Sequence, residues 1–150
     1  MKALFASLML AVSLMAGVNA GDPFPALTLP DQFEKEQTVS TEDRMVLISF
    51  ERSVSGAFND FMAEQPEGLL AAHHARYVAD ISAMPSLITK LFALPKMKKY
   101  RYPIMLNRDE AFAERFDRAE GKLTLYRLNG GKVTSVEFIA PEALGTLFGQ

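Results

Sequence analysis

The sequence predicts a single α/β domain built on a mixed sheet, and three observations carry that expectation. Strand-like and helix-like segments alternate along the chain, which then closes on two consecutive strands and a helix. Alternation implies parallel pairs joined by right-handed crossovers, and the closing hairpin adds antiparallel strands. Met45–Phe50, MVLISF, is apolar at five of its six positions. A short continuous apolar run suits a strand buried on both faces at the centre of a sheet. Finally, an apolar stripe at i, i+1, i+4, i+5 recurs three times, the spacing of one helix face.

The elements follow in order. Gly21–Pro30 holds three prolines and reads as an extended lead-in, with Ala26–Leu29 an edge strand, where proline is tolerated. Asp31–Glu36 is a polar turn, Gln37–Val39 a short returning strand and Ser40–Arg44 a loop. After the Met45–Phe50 strand, Ala57, Phe58, Phe61 and Met62 form the first stripe, with Ser53 or Ser55 as N-cap and Pro66 and Gly68 ending the segment. Arg76–Ile81 alternates Tyr77, Ala79 and Ile81 on one face of a second strand. Pro85 opens a helix with the stripe Leu87, Ile88, Leu91, Phe92, and Pro95 closes it. Pro103–Leu106 is a third strand and Asp109–Phe116 a short helix. Lys122–Leu128 and Lys132–Phe138 flank Asn129-Gly130-Gly131, residues that accept positive φ and so mark a hairpin. Pro141 starts the last helix, with the stripe Ala143, Leu144, Leu147, Phe148 and a stop at Gly149.

The N-terminus has a different character. Lys2 precedes the uncharged apolar run Ala3–Val18, and Val18-Asn19-Ala20 supplies small residues for a cut after Ala20. This is the pattern of a secretory signal peptide, shorter than a membrane-spanning helix. The predicted organisation is therefore a signal peptide over 1–20 and one domain over 21–150, periplasmic or secreted, with no stable membrane anchor after cleavage. The chain has 16 basic and 18 acidic side chains, net −2, with one basic cluster at Lys96, Lys98, Lys99 and Arg101. A nucleic-acid partner is not expected, because phosphate neutralisation needs a broader basic face. There is no cysteine, so disulfides, thiolate-ligated metals and a lipid-modified N-terminal cysteine are all excluded.

Several stretches together resemble the thioredoxin fold. VLISFERSVSGAFNDFMAE is similar to its central strand and active-site helix, with Ser55-Gly56-Ala57-Phe58 lying where that family has Cys-Gly-Pro-Cys. LTLYRLNGGKV resembles its late hairpin. DPFPALTLPDQ and YPIMLNRDEAFAERF are similar to exported thioredoxin-like and peroxiredoxin-like proteins. The resemblance implies a three-layer α/β/α sandwich with a mixed sheet and a C-terminal β-hairpin plus helix. Both redox cysteines are missing, and Gly121-Lys122 occupies the place of the family's cis-proline. A serine hydroxyl forms neither thiolate nor mixed disulfide, so disulfide exchange and peroxide reduction are not implied. The pattern is similar to cysteine-less periplasmic members of the superfamily such as the YtfJ type.

Candidate chemistry is sparse. His73 and His74 are adjacent and point apart, so one metal would not take both. Ser53 and Ser55 lack a nucleophile elbow. The helix start after the central strand offers free amides, with Arg52 beside it, to a small anion or a partner carboxylate. Glu51 and Asp80 end strands, where ligands gather in open α/β sheets. The expected binding residues are Arg52, Ser53, Ser55, Asp80 and Lys122, with no catalytic set, metal site or cofactor. Pro85–Met97 is richer in large apolar residues than one buried stripe needs, with Ala93, Leu94 and Met97 beyond it, an excess that suits an apolar patch presented to a partner or a membrane surface. The leading expectation is an exported cell-envelope binding protein, with an envelope protein or small anion as partner, using the Arg52–Phe58 turn or the Pro85–Met97 helix. The alternatives are a non-thiol enzyme recruiting Ser55, Glu51, Asp80 or a histidine, and a small-molecule or flavin carrier with a cleft at the end of the central strand.

Overall fold

Met45–Ser49 (β3) forms the axis of the fold, and all five residues are buried. In the computed structural model, which describes residues 17–149, β3 is the middle of a five-stranded sheet. Ala75–Asp80 (β4) pairs parallel to it, and Met105–Asn107 (β5) pairs parallel to β4. On the other side Leu123–Asn129 (β6) runs antiparallel to β3, and Lys132–Ile139 (β7) runs antiparallel to β6. The β6–β7 turn is Gly130-Gly131 with φ of 58° and 85°, the left-handed geometry of a two-residue hairpin. Before the sheet, Thr28–Pro30 (β1) and Glu36–Thr38 (β2) make a separate antiparallel ribbon. The predicted signal peptide lies outside the described residues except for its last four.

Each face of the sheet has its own core. On one face, Leu47, Tyr77, Ala79 and Leu125 meet Arg52–Ala63 (α1), Leu69–Ala72 (α2) and Leu144–Leu147 (α5). On the other, Val46, Ile48, Val78 and Tyr126 meet Phe112 and Phe116 of the Glu110–Arg115 3₁₀ helix, Leu27 and Phe24 of the lead-in, and Val18. The alternation of strand side chains between faces produces this division. The second layer is thus a 3₁₀ turn plus extended chain: Phe112 lies on the six-residue turn and Phe116 ends it in extended conformation. The short α2 was not expected from the sequence; Gly68, with φ of 84°, starts it where Pro66 and Gly68 read only as punctuation. The last helix is a single α turn after Pro141–Ala143, with Leu144 and Phe148 buried and Ala143 exposed.

The Pro85 segment departs most from expectation. It comprises Ser86–Ile88 (α3), a π-helical stretch Thr89–Ala93, and Leu94–Met97 (α4). Pro95 does not end it. Proline has no N–H for the carbonyl four residues back and its ring crowds that carbonyl, and a widened π turn immediately before it accommodates both effects. The side facing the protein is carried by buried Thr89 and half-buried Leu94 and Met97. The stripe expected to be buried faces solvent: Leu87 is 64% exposed, Ile88 42%, Leu91 54% and Phe92 66%.

Candidate functional site

The candidate site is the junction of β3 and α1. The helix starts at Arg52, and its N-cap is Glu51 with extended backbone and no side-chain cap bond. Ser53 and Ser55 are therefore inside the first turn, and neither is the cap. The reason for Ser55 lies beneath the helix. Ser49, the one polar residue of β3, and Tyr77 on β4 are both buried on the face that α1 covers. Ser49 Oγ lies 2.6 Å from Ser55 Oγ and 2.8 Å from Tyr77 Oη, and the Tyr77 hydroxyl donates to Ser55 Oγ at 3.2 Å. With one proton each the three hydroxyls can close a ring: Tyr77 donates to Ser55, and either oxygen can donate in the Ser49–Ser55 and Ser49–Tyr77 contacts. All three donors are satisfied within the ring. The Tyr77 ring also stacks on Phe58 of α1 at 3.8 Å. Burial pushes the Tyr77 phenol up to about 12, the Ser49 and Ser55 hydrogen bonds opposing. It is a neutral donor at ordinary pH and no base.

The expected binding residues share one end of the sheet but not one role. Arg52 and Ser53 are exposed on the first turn of α1. The Glu51 carboxylate accepts from the Gly121 amide at 2.6 Å, which draws the loop carrying exposed Lys122 to the helix start. Arg118, from the same loop, sits over the Phe50 ring at 5.9 Å. Asp80 serves the structure: its carboxylate accepts from Ser82 N–H and the buried Asn107 amide, both at 3.0 Å. The histidines lie elsewhere, just before β4 starts at Ala75, and so at the opposite end of the sheet from Ser55. The His73 ring packs edge-on to Phe148. Ser55 has no base and Glu51 and Asp80 are occupied, so the groups imagined for a non-thiol enzyme do not converge. Among the described residues no group of three His, Asp or Glu side chains is placed to hold a metal ion.

Two clefts stand out among the described residues, and both lie away from the β3–α1 junction. A cleft of about 280 Å³ lies at the amino ends of β4 and β5, lined among others by Asp43, His74, Arg76 and Pro103. Arg76 there pairs with the buried Asp43 at 3.1 Å. A second, of about 380 Å³, lies between the end of α1 and Lys99–Tyr102. Sequence reasoning missed Tyr77 and Ser49 as partners of Ser55. The available signal was a lone serine in an apolar strand and a tyrosine on the same face of the next one.

Solved structures place this geometry. No protein-family model matches the chain, and no curated protein does. Peroxidoxin BcpB of Mycobacterium tuberculosis superposes over 87% of this chain and 94% of its own, at 19% identity and a TM-score of 0.57. The thioredoxin domain of a thiol-disulfide oxidoreductase from Bacteroides vulgatus gives 87% and 96%, 15% and 0.56. A putative thiol:disulfide interchange protein DsbE from Chlorobium tepidum gives 87% and 94%, 16% and 0.54. The fold is therefore thioredoxin-like. At these identities the likeness extends to fold alone, and this chain has no cysteine.

Proposed function

We infer that this chain is an exported binding protein of the cell envelope, a thioredoxin-like scaffold without thiol chemistry that docks through the helix at 86–97. The observation that carries the reading is the solvent-facing stripe Leu87, Ile88, Leu91 and Phe92. Four large apolar side chains on one helix make a patch of the kind that marks interaction sites, whereas single exposed apolar residues are ordinary. The β3–α1 junction supports this indirectly. Its hydroxyls are spent on each other, so the place where the fold's thiol members react is here a structural joint. Export rests on the Lys2–Ala20 pattern.

Photo-crosslinking in intact cells tests the reading. A photoreactive residue at Phe92 of the full-length chain is expected to give an envelope adduct, and one at exposed Thr134 on β7 is not. Equal labelling at both positions, or none at Phe92, would sink it. A second reading, a small anion at the first turn of α1, is favoured by its uncapped amides beside Arg52 and Lys122.

A further inference from the structure

The geometry points to an anionic phospholipid bilayer as the surface that the 86–97 helix docks on. This rests on the docking reading above and specifies its partner. Three independent features converge on that segment.

The first is charge segregation. Between Asp80 and Asp109 the chain has no acidic residue, yet six of its 16 basic residues lie there. The rest of the chain therefore carries ten basic against 18 acidic side chains. A mildly acidic protein has gathered its unopposed positive charge on one stretch, and that stretch bears the apolar stripe. Lys90 is exposed within the helix, Lys96 near its end, and Lys98 and Lys99 directly after it. Among the described residues of this stretch, Arg101 is the one in an ion pair, with Glu67 at 3.4 Å and both side chains well exposed.

The second is the form of the apolar face. Leu87, Ile88, Leu91 and Phe92 stand on the outside of a single helix, and neither cleft is lined by any residue of 86–97. A raised apolar ridge with a basic flank matches an interfacial helix, whose large apolar residues enter the acyl boundary while lysines reach phosphate headgroups. A protein partner of the same charge would need its own groove to receive the ridge. A fluid interface needs none.

The third is support from below. Thr89 is buried and its hydroxyl donates to the Pro85 carbonyl at 3.3 Å. Gln32, fully buried, donates to the Met97 and Tyr102 carbonyls and accepts from the Ile104 amide. The ridge is thereby presented as a preformed surface. The turn that bears Gln32 also exposes Phe33, at 48%, which adds apolar area beside the helix. Among the described residues no helix is long and apolar enough to cross a membrane, so the contact is peripheral.

The test is vesicle co-sedimentation with residues 17–150, which retain both faces of the core and lack the apolar Ala3–Ala16 run that would bind lipid by itself. Vesicles of phosphatidylcholine with phosphatidylglycerol are expected to retain the protein, and phosphatidylcholine alone to retain it at least about tenfold less. Raising the salt from about 0.1 to about 1 M shortens the screening length from about 10 to about 3 Å and is expected to release most of it. Lys96→Glu with Lys98→Glu is expected to weaken binding by about fivefold or more per lysine. Leu87→Ser with Phe92→Ser is expected to weaken it by about tenfold or more. Both pairs are exposed, so thermal melts of the variants should match the parent. Equal binding to both vesicle types, or unchanged binding by both variants, would overturn the assignment. So would a protein adduct at Phe92 in cells with no vesicle binding, which would leave the docking reading standing.

Discussion

Ser49, Ser55 and Tyr77 form a set of three mutually bonded hydroxyls at the junction of the central strand and the first helix. Each hydroxyl is buried or half-buried and has a partner, so removing one leaves the others short. Ser49→Ala is expected to cost about 1–2 kcal/mol of stability in a urea melt. Burial of the Tyr77 phenol makes stability depend on pH, against the opposing effect of its two serine partners. The Tyr77 phenol sits at about 12 in the folded chain against 10.0 unperturbed. The folded state holds that proton more tightly, so the stabilisation is complete below pH 10 and is lost as pH rises from 10 towards 12. The two-unit gap corresponds to about 3 kcal/mol. Burial raises Tyr102 and Tyr126 as well, in the same direction. Urea melts across this range should show stability falling, and Tyr77→Phe should make the fall shallower. Constant stability from pH 9 to 12 would contradict the burial of the Tyr77 phenol. None of this was legible locally, because Ser55 and Tyr77 are 22 residues apart and an N-cap is the ordinary reading of a serine at a helix start.

At the scale of elements, the 86–97 helix holds the most instructive departure. The spacing of Leu87, Ile88, Leu91 and Phe92 identifies an apolar face correctly, but periodicity says nothing of what that face meets. The face that packs inward is Thr89, Leu94 and Met97, less apolar as a set and invisible to a search for the strongest stripe. The end of the helix is tied down by a residue outside it. Gln32 lies in what reads as a polar surface turn, yet it is fully buried and joins the lead-in to the Met97 and Tyr102 carbonyls and the Ile104 amide. Its neighbour Asp31, also buried, accepts from the Phe33 and Lys35 amides and the Gln37 side chain, which shapes the turn. Gln32→Ala is expected to cost about 2–4 kcal/mol, since it strands buried backbone groups. It should also speed hydrogen exchange at the Ile104 amide. Wild-type exchange there with normal stability would show that the pin carries nothing.

For the whole molecule, the fold bears on what the proposed cut after Ala20 would leave behind. Val18 is buried against the second face of the sheet, and the Gly21 amide donates to the Val133 carbonyl at 2.7 Å. A cut after Ala20 removes Val18 and keeps the Gly21 bond. The protein recovered from the periplasm is expected to have the intact mass of residues 21–150. It should be less stable than 17–150 by about 1.5 kcal/mol or more, since the cut removes a buried valine and the Asn19–Asp22 hydrogen bonds. A mass that retains Val18 would contradict processing at Ala20. The sequence by itself determined the order of the sheet strands, the central strand, the terminal hairpin and the absence of cysteine. Those follow from local periodicity, glycine backbone freedom and composition, all of which act over a few residues. Tertiary structure alone decided which apolar stripe is buried, which serine is spent in a hydroxyl ring, and that Gln32 is a core residue. Burial and hydrogen-bond partners depend on segments far apart in the chain, and the free energy of a side chain is set by what the fold brings against it.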